Sequence, residues 1–188
     1  MCGIFAFVFN RSRSDLGSIL YKAATRLLYR GYDSVGFATV DAPDKVDLRK
    51  DKGKLDDVNR ELHLSQMQGV RGMVQLRWAT FGAPSKKNSQ PHRGCRGKMI
   101  SAHNGNIVNT TELIADLTAK GHLFQGDNDG EALCHRVEES RETTATLEEA
   151  VREGHRFIQG HYSAVFAEEG DPRMVAVKAG SSLFLGQG

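Results

Sequence analysis

The chain has 188 residues, 39% hydrophobic and 26% charged, with 25 Lys and Arg against 23 Asp and Glu for a formal net charge of +2. That composition excludes a disordered or collagen-like chain, and so small a net charge gives no reason to expect a nucleic-acid or membrane partner. A single core at this length buries roughly 70% of the surface exposed by the unfolded chain, so one domain over residues 1–188 needs no disulfide or metal staple.

Gly3 to Phe9, rich in Ile, Phe and Val, predicts a buried strand that ends at Asn10. Ser14 is a plausible N-cap for a helix whose Leu16, Ile19, Leu20, Ala23, Leu27 and Leu28 recur at helical spacing until Gly31 stops it. Val35 to Val40 and Val46 to Arg49 flank the Pro/Asp turn at Asp41 to Asp44, which predicts an antiparallel hairpin and argues against a doubly wound sheet. Further strands are expected at Gly72 to Leu76 and Lys98 to Ala102, with a long Gly/Pro-containing loop between them. Asn109 with Glu112 has capping-box spacing for a helix ending at Gly121. A second helix is expected from about Gly130 to Ser140, and Thr146 with Glu149 starts a third that ends near Gly160. Strands follow at Tyr162 to Ala167, Met174 to Val177 and Ser182 to Leu185, and the abrupt end after an apolar strand suggests a C-terminal truncation. Strands, then helices, then strands predict an α+β sandwich of antiparallel sheets with helices outside.

Three widely spaced cysteines without a C-x-x-C pair indicate neither a disulfide framework nor a zinc site, and suit a reducing compartment. His103 and His135 read as structural histidines for the same reason, and no metal or redox cofactor is expected. Arg49 to Lys54 reads as a solvated turn, Glu138-Glu139 as a solvated helix end, and the basic residues Lys86, Lys87, Arg93, Arg96 and Lys98 as a solvated loop. No run approaches the length of a membrane span, and the apolar start is too short for a secretory signal, so a cytoplasmic location is expected.

Cys2 becomes the N-terminal residue once Met1 is removed, and then carries a thiol beside a free α-amine. That amine, with a reference pKa of about 7.7–8.0, can take the thiol proton and later return it to a leaving group. Judged alone, Cys2 reads first as a small hydrophobe opening a buried strand. A thiolate attacking an amide develops an oxyanion, and Asn104 and Gly105 in His103-Asn104-Gly105 offer a side-chain amide and an approachable backbone N–H for it. The dipeptide alone reads as a hairpin turn. A substrate with an α-carboxylate and an α-ammonium calls for a guanidinium fork and a carboxylate, and Arg77 and Asp129 are candidates. Arg77 is equally a strand-end surface charge, and Asp129 the N-cap of the next helix.

Taken together, Met1-Cys2-Gly3-Ile4, Tyr29-Arg30-Gly31-Tyr32-Asp33-Ser34 with Gly36, Arg77-Trp78-Ala79-Thr80, Pro91-His92, His103-Asn104-Gly105, Asp129 with Glu131, and Ala179 to Leu183 resemble the class II glutamine amidotransferases. The match runs the length of the chain and is closest to the hexosamine-forming branch. The glutaminase domain of that family is an N-terminal-nucleophile hydrolase, a four-layer αββα sandwich. The resemblance implies that Cys2 attacks the side-chain amide of glutamine, forms a γ-glutamyl thioester and releases ammonia. It implies an oxyanion hole at Asn104 and Gly105, the glutamine α-carboxylate on Arg77, and its α-ammonium on Asp129. Trp78 and Thr80 would belong to a loop closing over the donor, and Arg30 would organise the nucleophile region. Phe81 and Gln90 depart from that branch, as do Gln75 and Asn128, so loop gating is expected to differ.

The implied acceptor is fructose 6-phosphate, served by sugar-phosphate isomerase domains or a separate acceptor subunit. Gln90-Pro91 and His103 to Asn109 are similar to amidophosphoribosyltransferases, so a donor domain of that kind stays open as an alternative. A glutamine-binding module without hydrolysis is the other.

Overall fold

Alternating apolar residues at the N-terminus sort themselves onto two faces of the first strand, and this sorting sets up the layers of the molecule. The computed structural model describes residues 2–41, 45–79 and 82–188. In strand β1 (Gly3–Arg13), Phe5, Phe7 and Phe9 turn towards the outer helices while Ile4 and Ala6 turn towards the interior between the sheets. The same period of two sends Val35 and Phe37 of β2 (Ser34–Asp41) outward and Ala38 and Val40 inward. With β3 (Lys45–Lys52) and β4 (Gly69–Arg77) these form an antiparallel sheet in the order β1-β4-β2-β3. Helices α1 (Leu16–Arg26) and α2 (Leu55–Leu62) cover its outer face through Leu16, Leu20, Ala24, Leu55 and Val58.

A second antiparallel sheet runs β5-β6-β7-β8, built from β5 (His92–Arg93), β6 (Met99–Ile107), β7 (Gly160–Glu168) and β8 (Asp171–Ala179). Its outer face is covered by α3 (Thr110–Ala119), α4 (Asp129–Arg141) and α5 (Leu147–His155), whose Leu117, Leu133, Val137 and Leu147 pack on Met99, Tyr162, Ala164 and Phe166. Between the sheets lie mainly small or slender side chains, among them Ala38, Met73, Ala102, Val165 and Ala167, which lets the two sheets approach face to face. The architecture is the expected αββα sandwich.

Several local expectations need correction. Helix α1 is preceded by Asp15, not Ser14, and Asp15 makes no capping bond because its carboxylate is held 2.8 Å from Arg13; the helix ends at Arg26, and a short 3-10 turn at Leu28–Arg30 follows. Asn109 does not form a capping box: its side chain bonds Phe157 O and Gln159 N, tying α3 to the end of α5 instead. Thr146 and Glu149 do form one. Helix α4 is capped by Asn128, whose Oδ1 accepts from Gly130 N, so Asp129 is the first helical residue rather than the cap.

Strand β6 runs on to Ile107, which places His103-Asn104-Gly105 inside a strand and not in a hairpin turn. Ser182 to Leu185 is not a strand, and Phe184 and Leu185 are 92% and 87% exposed, with no sheet neighbour to cover them. Arg49 to Lys52 belongs to β3, and Lys50 is drawn inward to donate to Ser89 O at 2.6 Å rather than sitting in a solvated turn. Glu138 is buried, because its carboxylate accepts from Cys95 N and Arg96 N. Most of the 41–44 turn and the pair Thr80 and Phe81 lie outside the described residues.

Candidate active site

Antiparallel pairing brings the head of β1 to the end of β4, with Gly3 opposite Leu76, and so sets Cys2 beside Arg77 and Trp78. Leu76 is also opposite Val35 and Arg77 opposite Ser34, which adds the turn before β2 to the same corner. From the second sheet Asn104 reaches across, and its Oδ1 accepts from the main-chain nitrogen of Cys2 at 3.0 Å. That nitrogen is the group that becomes the α-amine when Met1 is removed. With Oδ1 committed to it, the amide is oriented so that its NH2 remains a donor for another group at the same spot.

The Cys2 thiol lies 3.9 Å from Trp78 O, and Arg30 Nε donates to Cys2 O at 3.0 Å, fixing the residue from both sides. Burial raises the thiol above its ordinary value; the Trp78 backbone, the N-terminal charge, Arg77 and the side chain of Gln75 pull the other way. Gln75 faces the sulfur from β4, and its buried amide makes no further hydrogen bond among the described residues. Sequence reading noted Gln75 only as a departure; its position next to the thiol follows from the strand register, opposite Ile4 and Gly36.

Arg77 is buried and donates to Gly82 O at 2.9 Å; burial lowers its pKa, while the nearby Cys2, Asp129 and Asp33 act to raise it. The strand end is braced by Asp33, whose carboxylate accepts from Ala79 N at 2.7 Å and whose N–H donates to Arg77 O. Close approach is needed here: a Cβ on Gly31 would fall 2.6 Å from Arg77 C. Trp78, 43% exposed, leans on Tyr32 with ring centroids 5.4 Å apart.

Asp129 is buried at the first turn of α4. Burial opposes its ionisation, but His103 and the N–H groups of Ile107 and Gly130 outweigh that and hold the carboxyl below the usual range. Its Oδ2 lies 3.3 Å from His103 Nε2. The other side of His103 is held by Gln90, whose Oε1 accepts from His103 N at 2.7 Å and lies 3.2 Å from Nδ1. Gln90 therefore has a defined task, aiming the ring at Asp129, which no local pattern in the sequence announces. His92 bonds Asn128 at 2.9 Å, and burial first, then Lys50, lowers its pKa to about 3, so it is a neutral link between β5 and the α4 cap.

Gly105 has φ +142°, and a Cβ there would clash with His161 O and sit 2.6 Å from Tyr162 Cα, so the strand passes this point only as glycine. The structure thus gathers Cys2, Arg30, Arg77, Trp78, Asn104, Gly105 and Asp129 around the junction of the sheets with the start of α4. Thr80 lies outside the described residues.

An αββα sandwich carrying a thiol at the head of its first strand defines the class of N-terminal-nucleophile hydrolases. A profile of the glutamine amidotransferase domain matches residues 76–183. The chain is 37% identical over 190 residues to a glutamine--fructose-6-phosphate aminotransferase (isomerizing) of Thermococcus kodakarensis, 36% identical to that of Pyrococcus horikoshii and 38% to that of Thermus thermophilus. In each case the whole of this chain is covered, but only 30–31% of the relative, so the chain spans about a third of the length of these curated relatives. Among solved structures it superposes on the glutamine phosphoribosylpyrophosphate amidotransferase of Bacillus subtilis with TM-score 0.74 and 27% identity, covering 88% of this chain and 35% of that one. The chain belongs to the glutamine amidotransferase family.

Proposed function

We propose that this chain is the glutaminase unit of an amidotransferase, releasing ammonia from the side-chain amide of glutamine through a Cys2 thioester. The observation that carries the reading is the 3.0 Å bond from the Cys2 nitrogen to Asn104 Oδ1, which joins base, nucleophile and amide donor at one point. With Met1 removed, the Cys2 amine takes the thiol proton and sulfur attacks the glutamine side-chain carbonyl carbon. The negative charge that develops on oxygen is met by Asn104 Nδ2 and the Gly105 N–H. The protonated amine passes its proton to the departing nitrogen, ammonia leaves, and water cleaves the thioester to return glutamate and thiol. Arg77 holds the donor α-carboxylate and Asp129 its α-ammonium, with Trp78 and Thr80 in the covering loop and Arg30 fixing the Cys2 carbonyl.

The proposed acceptor is fructose 6-phosphate, supported by the names of the sequence relatives, with isomerase domains of the whole protein or a separate subunit receiving the ammonia. The superposition on a phosphoribosylpyrophosphate amidotransferase keeps a second acceptor in view. A cytoplasmic setting is part of the proposal. It is supported by Cys2, Cys95 and Cys134 all being free thiols; among the described residues no helix is long and apolar enough to cross a membrane.

The test is glutamate release together with the fate of amide-labelled nitrogen in the whole protein. Cys2→Ala is expected to reduce glutamate release to background, and the label is expected in an aminated hexose phosphate. Glutamate release undiminished by Cys2→Ala overturns the mechanism, and transfer of the label to phosphoribosyl pyrophosphate overturns the acceptor.

A further inference from the structure

Away from Cys2, four side chains converge from three separate segments on the outer flank of α4. Cys95 comes from the turn after β5, His122 from the connection after α3, and His135 and Glu138 from one face of α4 at i and i+3 spacing. Cys95 Sγ lies 3.2 Å from both His122 Nδ1 and Glu138 Oε2. His122 Nδ1 is 3.1 Å from His135 Nδ1 and 3.6 Å from Glu138 Oε2, and His135 Nδ1 is 3.5 Å from the same oxygen. All four atoms lie within 4.8 Å of one another, three of the residues being buried and Cys95 exposed.

Those separations have a specific meaning. The corners of a tetrahedron with Zn–N, Zn–O and Zn–S bonds of about 2.0–2.3 Å lie about 3.3–3.8 Å apart, and the five pair distances above fall at or just below that range. The far side of each imidazole is equally telling. His122 Nε2 lies 3.0 Å from Glu139 Oε2, and the buried His135 Nε2 faces Glu131 Oε1 at 3.7 Å. Glu139 favours the His122 ring proton on Nε2, and the His135 Nε2, which makes no hydrogen bond among the described residues, is open to carry its proton on the Glu131 side; with both protons there, both Nδ1 lone pairs point at each other, at a third carboxylate and at a sulfur. Four electron-rich atoms facing inward call for a cation at their centre.

We propose that Cys95, His122, His135 and Glu138 form a structural Zn2+ site, with Cys95 binding as thiolate and releasing its proton to solvent. One sulfur, two imidazoles and one carboxylate suit Zn2+ over Mg2+ or Ca2+, which prefer oxygen, and four protein ligands leave no position for catalysis. Glu138 also accepts from Cys95 N and Arg96 N, and a Cβ on Gly94 would clash with the Glu138 carboxylate, so the 94–97 turn is already seated on it. The metal would clamp that turn and the α3–α4 connection to the helix whose first residue is Asp129. This site revises the expectation of no metal, which rested on the lack of a short-range ligand spacing; only His135-x-x-Glu138 is local.

The test uses the protein loaded with Zn2+ or Co2+ and dialysed, read by elemental mass spectrometry and absorption. The expected result is one Zn2+ per chain, and for Co2+ the visible bands of a tetrahedral site with a thiolate-to-cobalt band in the near ultraviolet. Cys95→Ser, a conservative change at an exposed position, is expected to abolish the thiolate band, while Cys2→Ser keeps it. His135→Ala is expected to lower the retained metal at least tenfold, and chelation of the loaded wild type to lower its Tm. Three results overturn the proposal: no retained metal after loading, an octahedral spectrum without the thiolate band, or a band lost with Cys2→Ser and kept with Cys95→Ser.

Discussion

Replacing Asn104 isolates the transition-state role assigned to it, because the residue has two separable jobs. Its Oδ1 accepts from the Cys2 nitrogen at 3.0 Å, in a partly buried position, and its NH2 is proposed to meet the oxyanion. Asn104→Ala removes both. The lost ground-state hydrogen bond costs about 1 kcal/mol of stability, or about 2–4 °C in Tm for a chain of this size. The lost oxyanion donor costs about 2.7–4 kcal/mol of barrier, a fall of roughly 10²–10³ in kcat. Asn104→Asp keeps an acceptor for the Cys2 nitrogen but puts a negative oxygen where the donor stood, so its kcat should fall further than that of the alanine variant while its Tm stays nearer wild type. Steady-state glutamate release against glutamine concentration, with thermal melts of the same preparations, measures both quantities. The reasoning is refuted if Asn104→Ala keeps kcat within tenfold, or if the loss sits wholly in KM.

The remaining predictions concern binding, backbone and charge. Arg77→Lys should raise KM for glutamine far more than it lowers kcat, since a point charge cannot replace a bidentate fork; equal loss in both would move Arg77 into the chemical step. Gly105→Ala should lower Tm and activity together, because φ +142° and the Tyr162 backbone leave no room for a Cβ; an unchanged melting curve would contradict the strand geometry. Asp171 is paired with Arg173 at 2.6 Å and accepts from Leu147 N at the start of α5; first the Arg173 bonds, then its backbone contacts, hold its carboxyl below the ordinary value of 3.8. The folded pKa lies below the unfolded one, so this stabilisation is complete above about pH 4 and is lost as the pH falls further. Denaturant melts of Asp171→Asn should therefore show a lower stability at pH 6 and a smaller drop between pH 4 and pH 2 than wild type, and parallel pH curves would refute the assignment.

Much of the molecule was legible from one-dimensional patterns with a local physical cause. The apolar, strand-favouring runs at Gly3 to Phe9 and Val35 to Val40, helical spacing from Leu16, and the Thr146/Glu149 capping box each rest on residues a few positions apart, and the structure keeps them. The order of elements fixed the antiparallel class, and the set of motifs from Cys2 to Asp129 pointed to amidotransferase chemistry. Where local rules had rivals, tertiary contacts decided. Asn109 has capping-box spacing yet spends its side chain on Phe157 and Gln159, because those groups are brought against it only when α5 returns to the sheet. His103-Asn104-Gly105 reads as a turn but is held in a strand by pairing with Tyr162, Ser163 and Ala164, about sixty residues further along.

The composition and spacing of residues thus determined most of the strands and helices, though not α2, β5 or the absence of a strand at Ser182 to Leu185, and which types of side chain a glutamine site would need. Only the tertiary structure decided that Gln75 faces the thiol, that Gln90 aims His103 at Asp129, and that Cys95, His122, His135 and Glu138 share one point. The reason is physical: backbone propensity acts over a few residues, whereas a hydrogen bond or a ligand set acts over about 3 Å of space, and sheet register alone determines which distant residues come that close.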